Sequence, residues 1–183
     1  MENEVKDDKL YPMQVVKAPD QKLRILTKPI KKIDQNLKRL TSEMIKLTKS
    51  FQDPEGVGLA ATQIGHDGCF FVGKIGDGFK AFINPQIVSY GKKTKKYFEG
   101  CLSIPDYYGE VIRSLILKVT YQDLEGIKHQ ETLRSVDAWI FQHEVDHLHG
   151  KLFPDKVLEQ KGKFYKFTGK DKVGSDTFQE VTI

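Results

Sequence analysis

Apolar residues at spacings of three and four, from Leu37 through Leu40, Met44 and Leu47 to Phe51, predict an amphipathic helix with one face on a core. Asp34 stands where an N-cap belongs, and "DPEGVG" at 53–58 supplies the Pro and Gly that end a helix. From Leu59 to about Leu133 the period shortens to that of strands: "CFFVGK", "FKAFINP", "QIVSY", "KKYFEG", "SLILKVTYQD" and "IKHQETL", separated by Gly and Asp turns. "TYQDLEGIKHQ" reads as a hairpin turning at Asp123 to Gly126. A second helix is expected from Ser135, as N-cap, through Val136, Trp139, Ile140, Val145 and Leu148, stopping at Gly150. Beyond it come Lys- and Gly-rich segments and "TFQEVTI", which alternates like an edge strand. Helices and mainly antiparallel strands are segregated along the chain, which is the α+β pattern.

The 183 residues are enough for one domain with its own core, and the chain is read as a single domain over 1–183. Hydrophobic and charged fractions of 39% and 30% are those of an ordinary globular protein. Apolar runs of a few residues are far too short to span a membrane. The opening "MENEVKDDKLYPMQ" lacks the apolar core of a signal peptide and is too acidic for a transit peptide, so a cytoplasmic setting is expected, with a mature organellar protein looking the same. The net charge of +4 is mild and partly local, with seven lysines against three acidic residues between Lys151 and Lys172. That segment reads as solvated surface; a weak, transient attraction to ribosomal RNA is conceivable, but no specific nucleic-acid motif accompanies it.

The chemistry is concentrated in "IFQHEVDHLHG", residues 140–150, where three of the five histidines fall within seven positions. On a helix His143 and His147 share one face, one turn apart, and can offer two imidazoles to one ion, with Glu144 placed to act on water. Chance matches to so short a pattern are common, so the motif alone leaves catalytic and inert readings evenly balanced. His149 lies past that face and is expected in solvent; His66 and His129, in a loop and a strand, have no partner in sequence. A catalytic site needs a third protein ligand. Nothing suitable follows downstream. Upstream, Cys101 in "YFEGCLSIP" comes directly after Gly100 at a strand end, where a thiol can project into a cleft. Cys69, in "GCFFVGK", reads as a small core hydrophobe. A thiolate with two imidazoles suits Fe²⁺ or Zn²⁺. "EGVGLAATQIG" at 55–65 reads either as a closely packed strand or as one lying along an extended substrate, ending in Gln63 as a neutral donor.

Together "GVGLAATQ", "EGCLS" and "QHEVDHL" resemble the three signature motifs of the peptide deformylase family, in the family's order, and the likeness extends over roughly residues 14–155. The resemblance implies mainly antiparallel sheets packed around a central metal-binding helix, and hydrolysis of the formyl group from formylmethionyl nascent chains with release of formate. It implies Cys101, His143 and His147 as ligands of one divalent ion, Fe²⁺ first, with Zn²⁺, Ni²⁺ or Co²⁺ also compatible. Glu144 would be the proton carrier, and Gln63 with the Leu102 N–H would hold the oxyanion. Val57, Gly58 and Gly100 would align the peptide, and Glu99 with Arg113 would brace the Cys101 loop. Departures are Tyr107 and Tyr108, where many relatives carry a basic residue, the bulky Trp139, and a tail after Pro154 without the long helix of some relatives. Another metallo-amidohydrolase, or a non-catalytic binder of metal or N-terminal peptides, stands as the alternative.

Overall fold

The computed structural model describes residues 13–182, so the leader reading of residues 1–12 lies outside the described part. The first helix, α1 (Gln35–Ser50), starts where expected: the Asp34 carboxylate accepts from Leu37 N at 3.0 Å. Its inner row is Leu37, Thr41, Met44 and Thr48, while Leu40, Leu47 and Phe51 flank that row half-buried. The two threonines enter the core because their hydroxyls bond back to Leu37 O and Met44 O, which leaves no polar group unpaired.

Among the described residues nine strands follow: β1 (Gly58–Ala60), β2 (Phe70–Ile75), β3 (Gly78–Tyr90), β4 (Thr94–Cys101), β5 (Ile104–Ser114), β6 (Ile116–Gln122), β7 (Lys128–Arg134), β8 (Phe164–Lys170) and β9 (Asp176–Val181). They form two antiparallel sheets, in the orders β1-β2-β3-β6-β7 and β4-β5-β8-β9. Between β7 and β8 lie α2 (Ser135–Leu148) and the short α3 (Phe153–Gln160). The α+β reading with α2 at the centre is therefore the observed architecture. α2 lies on the first sheet, where Phe141 meets Phe71 and Phe82 edge-on at 5.2 and 5.6 Å. α3 covers the second sheet through Phe153 and Val157, packed with Val111 and Phe164.

Four local expectations change. The "FKAFINP" and "QIVSY" runs are one strand, β3, carried through Pro85 by a bulge at which Asn84 takes φ 49°. β5 and β8 were not anticipated, because Pro105, Asp106, Gly109 and the tail lysines interrupt the apolar alternation. Ser135 is the first helical residue instead of the cap. It turns β7 into α2 in one step at φ 50°, and its N–H is taken by Leu115 O at 2.9 Å, so Arg134 caps without a side-chain bond. Cys69 lies just before β2 and is half-buried against the core, where burial raises its thiol pKa. The β6–β7 hairpin, the stop at Gly150 and the edge position of β9 are as expected.

Candidate metal centre

β4 ends in a register shift between Gly100 and Cys101, and a two-residue turn, Leu102–Ser103, leads into β5. The bulge re-aims Cys101 towards α2, which presents His143 and His147. One ligand atom from each of these three residues lies within 4.8 Å of the others, and Cys101 Sγ is 3.3 Å from His147 Nε2.

Gln63 sits in a 3₁₀ turn, Ala61–Ile64, directly after β1. Its Oε1 accepts from Ala60 N at 2.8 Å, which fixes the amide so that Nε2 faces Ser103 Oγ at 3.1 Å and Cys101 Sγ at 3.4 Å. Glu144 is buried, with Oε2 lacking a protein partner. It lies against Gly58, where a Cβ would stand 2.2 Å from Glu144 Oε1, so glycine is required there by close approach. A Cβ on Gly100 would meet the Tyr108 ring at 2.7 Å, for the same reason. Val57, Gly58, Gln63, Gly100, Leu102 and Glu144 all line one cavity of about 190 Å³ beside Cys101 and His143. β1 is the edge strand of its sheet at this cavity.

Behind the ligands is a buried polar network. Glu99 accepts from Arg113 Nε at 2.7 Å and Nη2 at 2.9 Å, and Arg113 Nη1 reaches Asp146 at 2.5 Å. The same carboxylate meets His143 Nδ1 at 3.0 Å and accepts from Trp139 Nε1 at 2.9 Å. The anticipated Glu99–Arg113 pair thus extends to Asp146 and Trp139, which sequence reasoning did not assign to it. Their spacing from His143, four residues before and three after, was the available signal. Trp139 also lines the cavity and stacks on Tyr97 at 4.9 Å.

Burial alone would raise the Glu99 carboxyl, but the hydrogen bonds from Arg113 and then His143 hold it down at about 2. Burial likewise opposes charge on His143, yet Cys101 and Glu99 draw a proton onto it and raise its pKa well above the usual value. His147 is pushed well below the ordinary range by burial, with the positive His143 adding to that, and so presents a neutral imidazole. Burial lifts Glu144 to about 7. The site therefore favours a positive charge at the ligands, and a neutral imidazole and a thiol offered to one point fit a divalent cation. Fixing His143 Nδ1 by a carboxylate leaves Nε2 to ligate, as metal-binding histidines require.

His149 is exposed, as expected, with Nδ1 at 2.8 Å from Val145 O. His66 accepts from Gly68 N within its loop. His129 does find a partner, Asp123 at 2.7 Å across the β6–β7 turn.

The family model described as "Polypeptide deformylase" matches residues 12–163. A peptide deformylase of Thermotoga maritima is 42% identical over 142 residues, covering 78% of this chain and 85% of that one. One from Rhodopseudomonas palustris (strain BisA53) is 37% identical over 155 residues, covering 81% and 84%. The crystal structure of the Thermotoga maritima protein superposes with a TM-score of 0.75 at 40% identity, over 80% of this chain and 97% of that one. A plant peptide deformylase gives the same TM-score of 0.75 at 36% identity, over 81% and 82%.

Proposed function

The chain belongs to the peptide deformylase family, and from that premise we propose that it removes the formyl group from N-formylmethionyl nascent polypeptides. The observation that carries the proposal is the convergence of Cys101, His143 and His147 on one point, with Glu144 and Gln63 on the same cavity wall.

Cys101, His143 and His147 would hold one divalent ion, and the mixed thiolate and imidazole set favours Fe²⁺, with Zn²⁺, Ni²⁺ and Co²⁺ as substitutes. Such an ion, when bound, supplies Lewis acidity to the formyl carbonyl and to the attacking water. Glu144 takes the proton from that water as it adds to the formyl carbon. Its burial and its nearness to neutrality in pKa suit a group that both accepts and returns a proton. The Gln63 amide, held by Ala60, and the Leu102 N–H donate to the developing oxyanion. Glu144 then delivers its proton to the amine as the C–N bond breaks, leaving formate and a free N-terminus.

The peptide would lie along the β1 edge at Val57 and Gly58, with the Gly100 carbonyl opposite, so main-chain contacts dominate and sequence tolerance follows. Glu99 and Arg113 keep His143 oriented. Among the described residues no helix is long and apolar enough to cross a membrane. A compartment that starts translation with formylmethionine, bacterial cytoplasm or organelle, is the setting that supplies the substrate. Transient contact with ribosomal RNA would use the tail lysines Lys161, Lys166 and Lys172, which are exposed. We take 1–183 as one catalytic domain, since β8 pairs with β5 next to the site.

The test is formate release from a short N-formylmethionyl peptide by protein prepared without oxygen and loaded with Fe²⁺, beside the N-acetyl analogue. Release from the formyl peptide alone is expected. Equal turnover of both would make the protein a broader amidohydrolase, and no turnover with metal bound would make it a binder.

A further inference from the structure

Beside the catalytic cavity lies a second one of about 250 Å³, and the two share Pro54, Cys101, Leu102 and Tyr108 as a partition. Phe51, Ile104, Tyr108 and Phe167 give it apolar walls, and Lys17, Asp53, Asp106 and Asp176 also line it. Its rim is charged: Lys170 reaches Asp176 at 2.6 Å and Asp53 at 3.6 Å, tying the C-terminal hairpin to the loop that walls the catalytic cavity.

The partition is rigid. Tyr108 stacks on Phe98 at 5.3 Å with a 2° interplanar angle, and Phe178 of β9 meets both rings edge-on at 5.0 and 5.1 Å. Tyr108 is opposite Gly100 in the β4–β5 register and opposite Tyr165 in the β5–β8 register, so the backbone that carries the ring is paired on both sides. The family match ends at residue 163, and β8 begins at Phe164, so the Phe167 wall and the Asp176 rim come from the part of the chain beyond that match.

We propose that the C-terminal hairpin builds a second substrate subsite, in which Tyr108 and Phe167 receive a large apolar side chain from the second or third residue of the formylated peptide. The inference rests on the deformylase reading, which places the formylmethionine in the first cavity. Adjacency of the two cavities across Tyr108 makes the downstream residues of that same peptide the occupant. An aromatic side chain would leave water and fill a preformed apolar space, whereas a small polar one such as Ser would gain little from entering it.

The experiment compares kcat/KM for N-formylmethionyl tetrapeptides carrying Phe, Ser or Asp at the second or the third position, on the Fe²⁺-loaded enzyme. A preference for Phe over Ser of roughly tenfold or more at one of those positions, carried by KM, is expected of a hydrophobic pocket. Phe167→Ser should bring that ratio towards one, while Val173→Ser, at the exposed turn of the same hairpin, should keep it. Melting temperatures verify that both variants fold. Formate release at equal kcat/KM from all peptides overturns the subsite and leaves the deformylase reading standing. An unchanged ratio in Phe167→Ser also overturns it. No formate from any peptide overturns the reading and the subsite with it.

Discussion

The indole N–H of Trp139 donates to Glu99 Oε1 at 2.9 Å, on the carboxylate whose other oxygen sits 3.0 Å from His143 Nδ1. Trp139, legible in the sequence only as a bulky departure, lines the cavity and also supports the ligand histidine. It stands on the same helix face as His143, one turn earlier.

Removing single members of this network should cost unequal amounts. Arg113→Met leaves Glu99 buried without its cation and should destabilise the protein by about 3–5 kcal/mol. Trp139→Phe keeps the ring but loses one hydrogen bond to a charged group, worth about 1.5–3 kcal/mol. Denaturant titration of both variants should rank them in that order, and the reverse ranking would contradict Arg113 as the main partner of Glu99.

Gly58→Ala places a methyl group where the Glu144 carboxylate lies. The backbone of β1 is paired to β2, so the side chain is the part that moves. Because positioned acid–base groups contribute about 10²–10⁴-fold, kcat should fall within that range while the metal content stays at one per chain. Kinetics beside metal analysis would decide it.

Gln63→Leu removes the amide that Ala60 and Ser103 hold in place. A lost oxyanion donor typically lowers kcat by about 10²–10³. KM for a formylmethionyl peptide should change far less, and a rise in KM at constant kcat would assign Gln63 to ground-state binding.

In the β6–β7 turn the hydrogen bond from His129 holds the Asp123 carboxyl below its ordinary 3.8, burial opposes this slightly, and the N–H groups of Ile127 and Glu125 add to it. A depressed carboxylate stabilises the fold fully above the unfolded value and loses that contribution as pH falls through the lower, folded one. Asp123→Ala should therefore melt below the parent protein at pH 7, with the gap narrowing under pH 4. Melting curves at several pH values provide the check, and a gap constant with pH would remove the carboxylate charge from the explanation.

Activity of the Fe²⁺ form should decay in air faster than that of a Zn²⁺ form, because both the ion and the Cys101 thiolate are oxidisable. Parallel half-lives with and without oxygen would measure the difference.

α1 and α2 were legible because their apolar spacing is carried by side chains that pack, although Thr41 and Thr48 share the inner row of α1, Val136 of α2 is exposed, and α3 went unread. The metal set was legible for a different reason, since ligand chemistry restricts residue types so severely. β5 and β8 were hidden because Pro105, Gly109 and interspersed lysines weaken a pattern that pairing with neighbours then enforces. The cap of α2 was misplaced by one residue, since the backbone of Leu115 satisfied a donor that local rules assign to a side chain. Phe167 and Asp176 gave no local sign of a role, because their proximity to Tyr108 exists only once the tail folds back as β8 and β9.

Cys101 hangs from one sheet, and the two histidines ride on a helix seated against the other. An ion shared among them therefore closes a ring of chain running from Cys101 through β5, β6 and β7 to His143. Such a closure acts as a reversible cross-link, and loop-closure entropy for a ring of that size corresponds to roughly 4 kcal/mol. The reagent that performs the chemistry is also a rivet between the two halves of the fold, so a cell starved of metal would hold a looser protein as well as an idle one.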